Sequence, residues 1–451
     1  MNSIPSIRSG DVGMSPRLSQ AAFAATIFLS AFLLFQVQPL IAKYILPWFG
    51  GSPGVWTACM LFFQVLLLGG YAYAHVISQQ LAPRSQVALH TVLLVTALAF
   101  LPIVPGSQWK PDAAAEPTGR ISVMLTVCLG LPYFTLSSTG PLLQAWFSRV
   151  YPGVVPYRLY ALSNAGSLLA LVSYPTFVER CFTRQAQAAF WGWGFGGFVA
   201  FCSVCAWLLW RSNPAAAGSR VEAKTDAPDS GTDGQAPTLA HRLFWFGLPA
   251  CASVLLLATT NKICQDVAVI PFLWVLPLTL YLLSFIVCFD SPKWYRRTLL
   301  QLLLLPALGL LCYVLFFGHT LRLITQIAVY GGSLFVCCLV CHGEVYRWRP
   351  EPRFLTSFFL LIAAGGATGG LFVAVVAPLV FQSYAELNWG IWLFSALLLF
   401  VHLRERTVWT LRNRKFLLAP ALLVALVALG VTLVVQIEQE KRPFCERFSL
   451  L

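Results

Sequence analysis

The sequence predicts an all-α, polytopic membrane protein of about 12–13 spans, built as two six-helix halves plus a C-terminal helix. Three observations predict it. The 451 residues are 58% hydrophobic and only 10% charged, with a mean hydropathy of +0.73, whereas soluble domains run about 45–50% apolar and about 25% charged. Apolar runs of the roughly 20 residues that cross a bilayer recur along the whole chain. A polar stretch rich in Pro, Gly, Ala and Asp then divides those runs into six and seven.

Residues 1–19 are a polar N-terminal tail carrying Arg8 and Arg17. The apolar run behind it is longer than a signal-peptide core and lacks a small-residue cleavage pattern, so it is expected to stay as the first helix. The first bundle, 20–210, is expected to hold spans near 20–42, 55–77, 86–104, 121–147, 158–178 and 187–210. Residues 211–241, opening "RSNPAAAGSRVEAKTDAPDSG", hold almost no large apolar side chains and are expected to form a flexible linker. The second bundle, 242–403, follows with spans near 243–263, 268–289, 298–317, 323–342, 354–381 and 388–403. Residues 404–451 comprise a basic loop, an extra apolar run near 416–436 and a short tail.

The charge pattern orients these spans. With the N-terminus cytoplasmic, cytoplasmic segments carry 20 of the 30 Lys and Arg residues and the opposite face carries 10. That bias follows the positive-inside rule and supports a cytoplasmic N-terminus and linker, and the chain is expected in a cell inner (plasma) membrane. The formal charge of +13 is therefore a basic rim facing anionic lipid, not a nucleic-acid surface. The lipid bilayer is the first expected partner, and nucleic acid is not one.

The halves also resemble each other. Gly140 and Gly343, assigned to the ends of the fourth and tenth spans, Gly166 and Gly369, in the fifth and eleventh, and Pro175 and Pro378, near the ends of those same spans, are each separated by 203 residues. A parallel six-helix repeat of this kind is the major-facilitator architecture.

Two motifs are deceptive. Cys338-Leu-Val-Cys341-His342 has the C-x-x-C-H spacing of covalent haem attachment. It nevertheless continues an apolar helix, at the end placed in the cytoplasm, where such attachment does not occur, and no fourth ligand suggests a metal. Gly192, Gly194 and Gly197 satisfy G-x-G-x-x-G, but they sit among Trp191, Trp193 and Phe195 in an apolar run and not between a strand and a helix. Small residues there are expected to serve close helix packing. No cofactor and no metal are expected.

Polar groups inside a bilayer face the bundle interior. The first span ends with Gln36, Gln38, Pro39 and Lys43; the seventh ends with Thr259, Thr260, Asn261, Lys262, Gln265 and Asp266. Asn261 and Gln265 are four residues apart, as are Lys262 and Asp266, so each pair shares a helix face. Asn164 lies in the fifth span. Gln36, Gln38, Lys43, Asn164, Asn261, Gln265 and Asp266 are the candidate substrate-binding residues. Interhelical hydrogen bonds and a local Lys262–Asp266 pair are the alternative. His342, Glu344 and Arg347 close the tenth span as a candidate gate or ion pair.

The stretches "FQVQPLIAKYILPWFGGSPGVWTACMLFFQVLLLGGYAYAH" (35–75), "LSNAGSLLALVSYP" (162–175), "TTNKICQDVAVIPFLWVLPLTLYLLSFIVCFD" (259–290) and "CHGEVYRWRPEPRFLTSFFLLIAAGGATGG" (341–370) resemble the membrane module of bacterial fused spermidine synthase-like proteins. The resemblance spans roughly residues 20–400, and His342-Gly343-Glu344 is its recurring part. It implies a transporter-like bundle that precedes an aminopropyltransferase domain in the family. The glycine-rich loop and paired aspartates of that catalytic half do not follow Ile437, so aminopropyl transfer by this chain alone is not expected. Two readings stay open. One is a transporter-like module that handles polyamines or similar small cations. The other is a non-transporting membrane anchor, or a split or truncated partner, for a separate soluble aminopropyltransferase.

Overall fold

The computed structural model describes residues 15–50, 53–110, 117–152, 154, 156–211, 237–266, 275–291, 293–381, 385–404 and 426–438. Among these residues there are helices and no strands. The chain divides into two compact units: Met1–Ala236 with Glu351–Ser357, and Pro237–Pro350 with Phe358–Leu451.

The first unit carries α1 (Pro16–Phe49), α2 (Pro53–Gln80), α3 (Pro83–Leu98), α4 (Pro117–Val150), α5 (Tyr157–Cys181) and α6 (Arg184–Arg211). The second carries α7 (Leu239–Asp266), α8 (Val275–Asp290), α9 (Arg297–Phe317), α10 (Leu323–Arg347), α11 (Pro352–Val380, whose first residues count with the first unit), α12 (Glu386–Arg404) and α13 (Leu426–Glu438). Nine described helices are long and apolar enough to cross a membrane, and α8, α12 and α13 are shorter apolar helices. The expected linker lies outside the described residues but for its margins, as do the start of the eighth span, most of the N-terminal tail and the basic loop 405–425.

Local chemistry sets the helix ends. Ser15 caps α1, its Oγ accepting from the Leu18 N–H at 3.3 Å, with Pro16 in the first turn. The helix stops at Gly50, whose φ of 77° suits glycine and whose N–H returns to Leu46 O at 2.9 Å. At 34 residues, α1 is about 51 Å long, more than the ~30 Å hydrocarbon layer requires. Near the ends of α5 and α11 the helix widens to π geometry, at Tyr174–Val178 and Phe372–Val376. Pro175 lies inside the first of these segments and Pro378 just after the second. A proline offers no N–H to the preceding turn, and a single wide turn accommodates that loss.

Close packing uses the paired glycines. On α5, a side chain at Gly166 would come within 2.6 Å of the Phe28 carbonyl of α1. On α11, side chains at Gly365 and Gly369 would collide with the Phe246 and Ala250 carbonyls of α7. Ser253 of α7 also donates to Gly366 O at 2.8 Å. Small residues four apart let the backbones of two helices approach. The glycine run of α6 behaves otherwise: a side chain at Gly194 would come within 2.9 Å of Leu33, while one at Gly192, Gly196 or Gly197 would meet open space. Close packing there thus rests on Gly194 alone. The first unit's core joins Phe23, Ile27, Val37 and Ile41 of α1 to Leu129, Tyr133 and Trp146 of α4 and Phe195 of α6.

Candidate functional site

In the first unit, the polar residues of α1 separate. Gln38 Nε2 donates to the Tyr133 hydroxyl at 3.4 Å. Tyr133 is buried against Phe62 and Phe63 of α2, with ring centroids 6.4 and 5.0 Å away. This combines an amide, a hydroxyl and aromatic faces, a set suited to an organic cation. Gln36 points elsewhere, into a cleft of about 230 Å³ lined by Leu29, Phe32, Phe190 and Gly194. The two-residue spacing therefore sends the two glutamines to different surroundings. Lys43 is not free: its Nζ lies 2.9 Å from Glu179 Oε1, and it stands 5.7 Å from the Tyr174 ring. Asn164 is buried on α5 and donates to its own helix, at Tyr160 O, 2.9 Å.

In the second unit, Asn261 of α7 donates through Nδ2 to Glu386 Oε1 of α12 at 3.3 Å. Glu386 is buried, and among the described residues no cation pairs with it. Sequence inspection missed Glu386, because a glutamate at the start of a helix is ordinarily a favourable partner for the helix dipole. Gln265 and Asp266 end α7, and their side chains lie outside the described residues. The C-terminal helix joins this unit through Asn388, which donates to Gln436 and to Leu433 O, and Gln436 in turn donates to Leu315 O of α9.

The candidate gate is a closed polar knot. Glu344, fully buried, accepts from the Tyr295 hydroxyl at 2.8 Å and Arg297 Nε at 2.7 Å, with Arg347 at 3.5 Å. Burial and this carboxylate push the Tyr295 hydroxyl well above the ordinary tyrosine range, which keeps it a donor. Gly343 makes the knot fit, because any side chain there would strike the Tyr295 ring. His342 Nδ1 lies 2.7 Å from Ser284 Oγ, whose own hydrogen goes to Tyr281 O at 2.6 Å. The imidazole therefore donates from Nδ1, while its ring stacks on Phe285 at 3.5 Å. Each residue of His342-Gly343-Glu344 thus has a packing reason of its own. The sequence paired Glu344 with Arg347; the shorter bonds come from some 50 positions upstream, from Tyr295 in the α8–α9 turn and Arg297 at the start of α9. Cys338 and Cys341 are buried free thiols within the same helix.

This arrangement is that of a multi-pass membrane protein with the major-facilitator fold. The solved structures it is similar to include the major facilitator superfamily proton:xylose symporter XylE bound to 6-bromo-6-deoxy-D-glucose, at 11% identity and a TM-score of 0.50, covering 84% of this chain and 94% of that one. The inward-open xylose transporter XylE from E. coli is similar at 12% identity and a TM-score of 0.50, over 90% and 99% of the two chains. No protein-family model and no curated protein matches the sequence.

Proposed function

We propose that the chain carries a small organic cation of the polyamine class across a cell inner membrane, with its N-terminus cytoplasmic. The transporter fold supports translocation, and the resemblance to spermidine synthase-like membrane modules supports the substrate class. The observation that carries the reading is Glu386: a buried carboxylate bonded to an amide and to no described cation. Burying an uncompensated carboxylate is costly, and an ammonium group supplied by substrate would offset that cost. Within the first unit, Gln38 and Tyr133 beside the Phe62 and Phe63 rings form a separate surface of the kind that suits an organic cation.

Uptake of labelled spermidine by proteoliposomes tests this. Wild-type protein is expected to give saturable uptake, which unlabelled polyamine blocks and xylose does not. Glu386→Gln is expected to reduce it at least tenfold. Folded protein that moves none of several polyamines would overturn the reading and favour the membrane anchor for a separate aminopropyltransferase.

A further inference from the structure

The α8–α9 turn has a feature that neither transport nor the Glu344 knot uses. Here the Trp294 N–H reaches Ser291 O at 3.2 Å and the Arg296 N–H reaches Trp294 O at 3.1 Å. Tyr295 is pinned inward by Glu344 and the space above Gly343. Its neighbours therefore turn outward: Lys293 and Arg296 are exposed, and Trp294 is 65% exposed. Lys293 and Arg296 make no ion pair with any described residue. The acidic groups on the same elements are engaged, Glu344 in the knot and Asp290 with a partner inside the protein. Directly along α9 from these cations runs an apolar wall of exposed Leu299, Leu302, Leu303 and Leu305. Bare cations, then an indole, then leucines follow the order of a phospholipid: phosphate, glycerol boundary, acyl chain.

We propose that this turn is a binding site for an anionic phospholipid, with Lys293 and Arg296 on the phosphate, Trp294 at the headgroup boundary and the α9 leucines against one acyl chain. The interaction is independent of whether the chain transports anything. The test is native mass spectrometry of the full chain in detergent, titrated with phosphatidylglycerol or phosphatidylcholine. Wild type is expected to retain phosphatidylglycerol preferentially. The double variant Lys293→Gln/Arg296→Gln is expected to bind it roughly 30-fold more weakly, the product of two lost headgroup contacts, with its unfolding temperature in detergent unchanged. Trp294→Ala is expected to weaken both lipids, and Arg211→Gln, at a basic end in the other unit, is expected to leave the preference intact. Equal retention of the two lipids by wild type, or an undiminished preference in the double variant, would overturn the proposal. So would displacement of the lipid by soluble glycerol phosphate at equal concentration, which would identify a free-phosphate site instead.

Discussion

The same corner of the two halves is fastened in opposite senses. In the first, the acceptor is neutral and sits on α3: Gln86 Oε1 receives Trp146 Nε1 at 3.0 Å and Arg149 at 3.1 Å, both from α4. Arg149 also reaches Ser78 O at 2.7 Å. In the second, the acceptor is a carboxylate on α10, the counterpart of α4, and its donors are Tyr295 of the α8–α9 turn and Arg297 at the start of α9. An amide holding a half-buried arginine can rely on carbonyls for the remaining bonds. A fully buried carboxylate carries a larger desolvation cost, which the Arg297 cation at hand offsets. A six-helix repeat thus preserves where a corner is fastened without preserving which helix donates.

Substitutions can break or sharpen this contrast. The largest effect is expected from Glu344→Ala, which strands Arg297 without its carboxylate and should cost about 3–5 kcal/mol in a reversible unfolding assay. Gln86→Ala at the matching corner should cost about 1–3 kcal/mol. Equal losses at the two corners would remove the distinction between charged and neutral pins. Gly166→Val and Gly369→Val should each cost about 1–3 kcal/mol by driving α5 from α1 and α11 from α7. A large loss at one and none at the other would contradict the shared packing device.

Smaller effects follow. Tyr295→Phe removes one hydrogen bond and should cost about 1–1.5 kcal/mol. Because the folded-state hydroxyl is pushed above its unfolded value, its contribution is fully present below about pH 10 and declines only above that. The deficit of Tyr295→Phe should therefore be the same at pH 7 and pH 9. The smallest effect belongs to Lys43→Ala: its pair with Glu179 is over a quarter exposed and should be worth about 0–1 kcal/mol.

The fold was legible because the bilayer demands long apolar runs, and the glycine and proline spacing of 203 residues marked the repeat that the packing of Gly166 and Gly369 reflects. The site was legible only in part. Glu344 stood out as a charge ending an apolar helix, yet Tyr295 and Arg297 sit in a turn and at the helix start after it, where basic residues are ordinary. Glu386 was hidden in the same way, at a helix start. The fate of Gln36 and Gln38 depended on the rotation of α1 against α2 and α4, which spacing within one helix cannot supply. Lys43 looked available because Glu179 lies four helices further along the chain.

Saturated pins and available groups differ in what their loss does. Spermidine uptake by proteoliposomes, measured per folded protein for Gln38→Ala beside its unfolding temperature, tests that distinction most directly. Uptake reduced at least tenfold at an unchanged unfolding temperature is the expected result. Uptake equal to wild type, or a loss of uptake that merely follows a loss of stability, would contradict it.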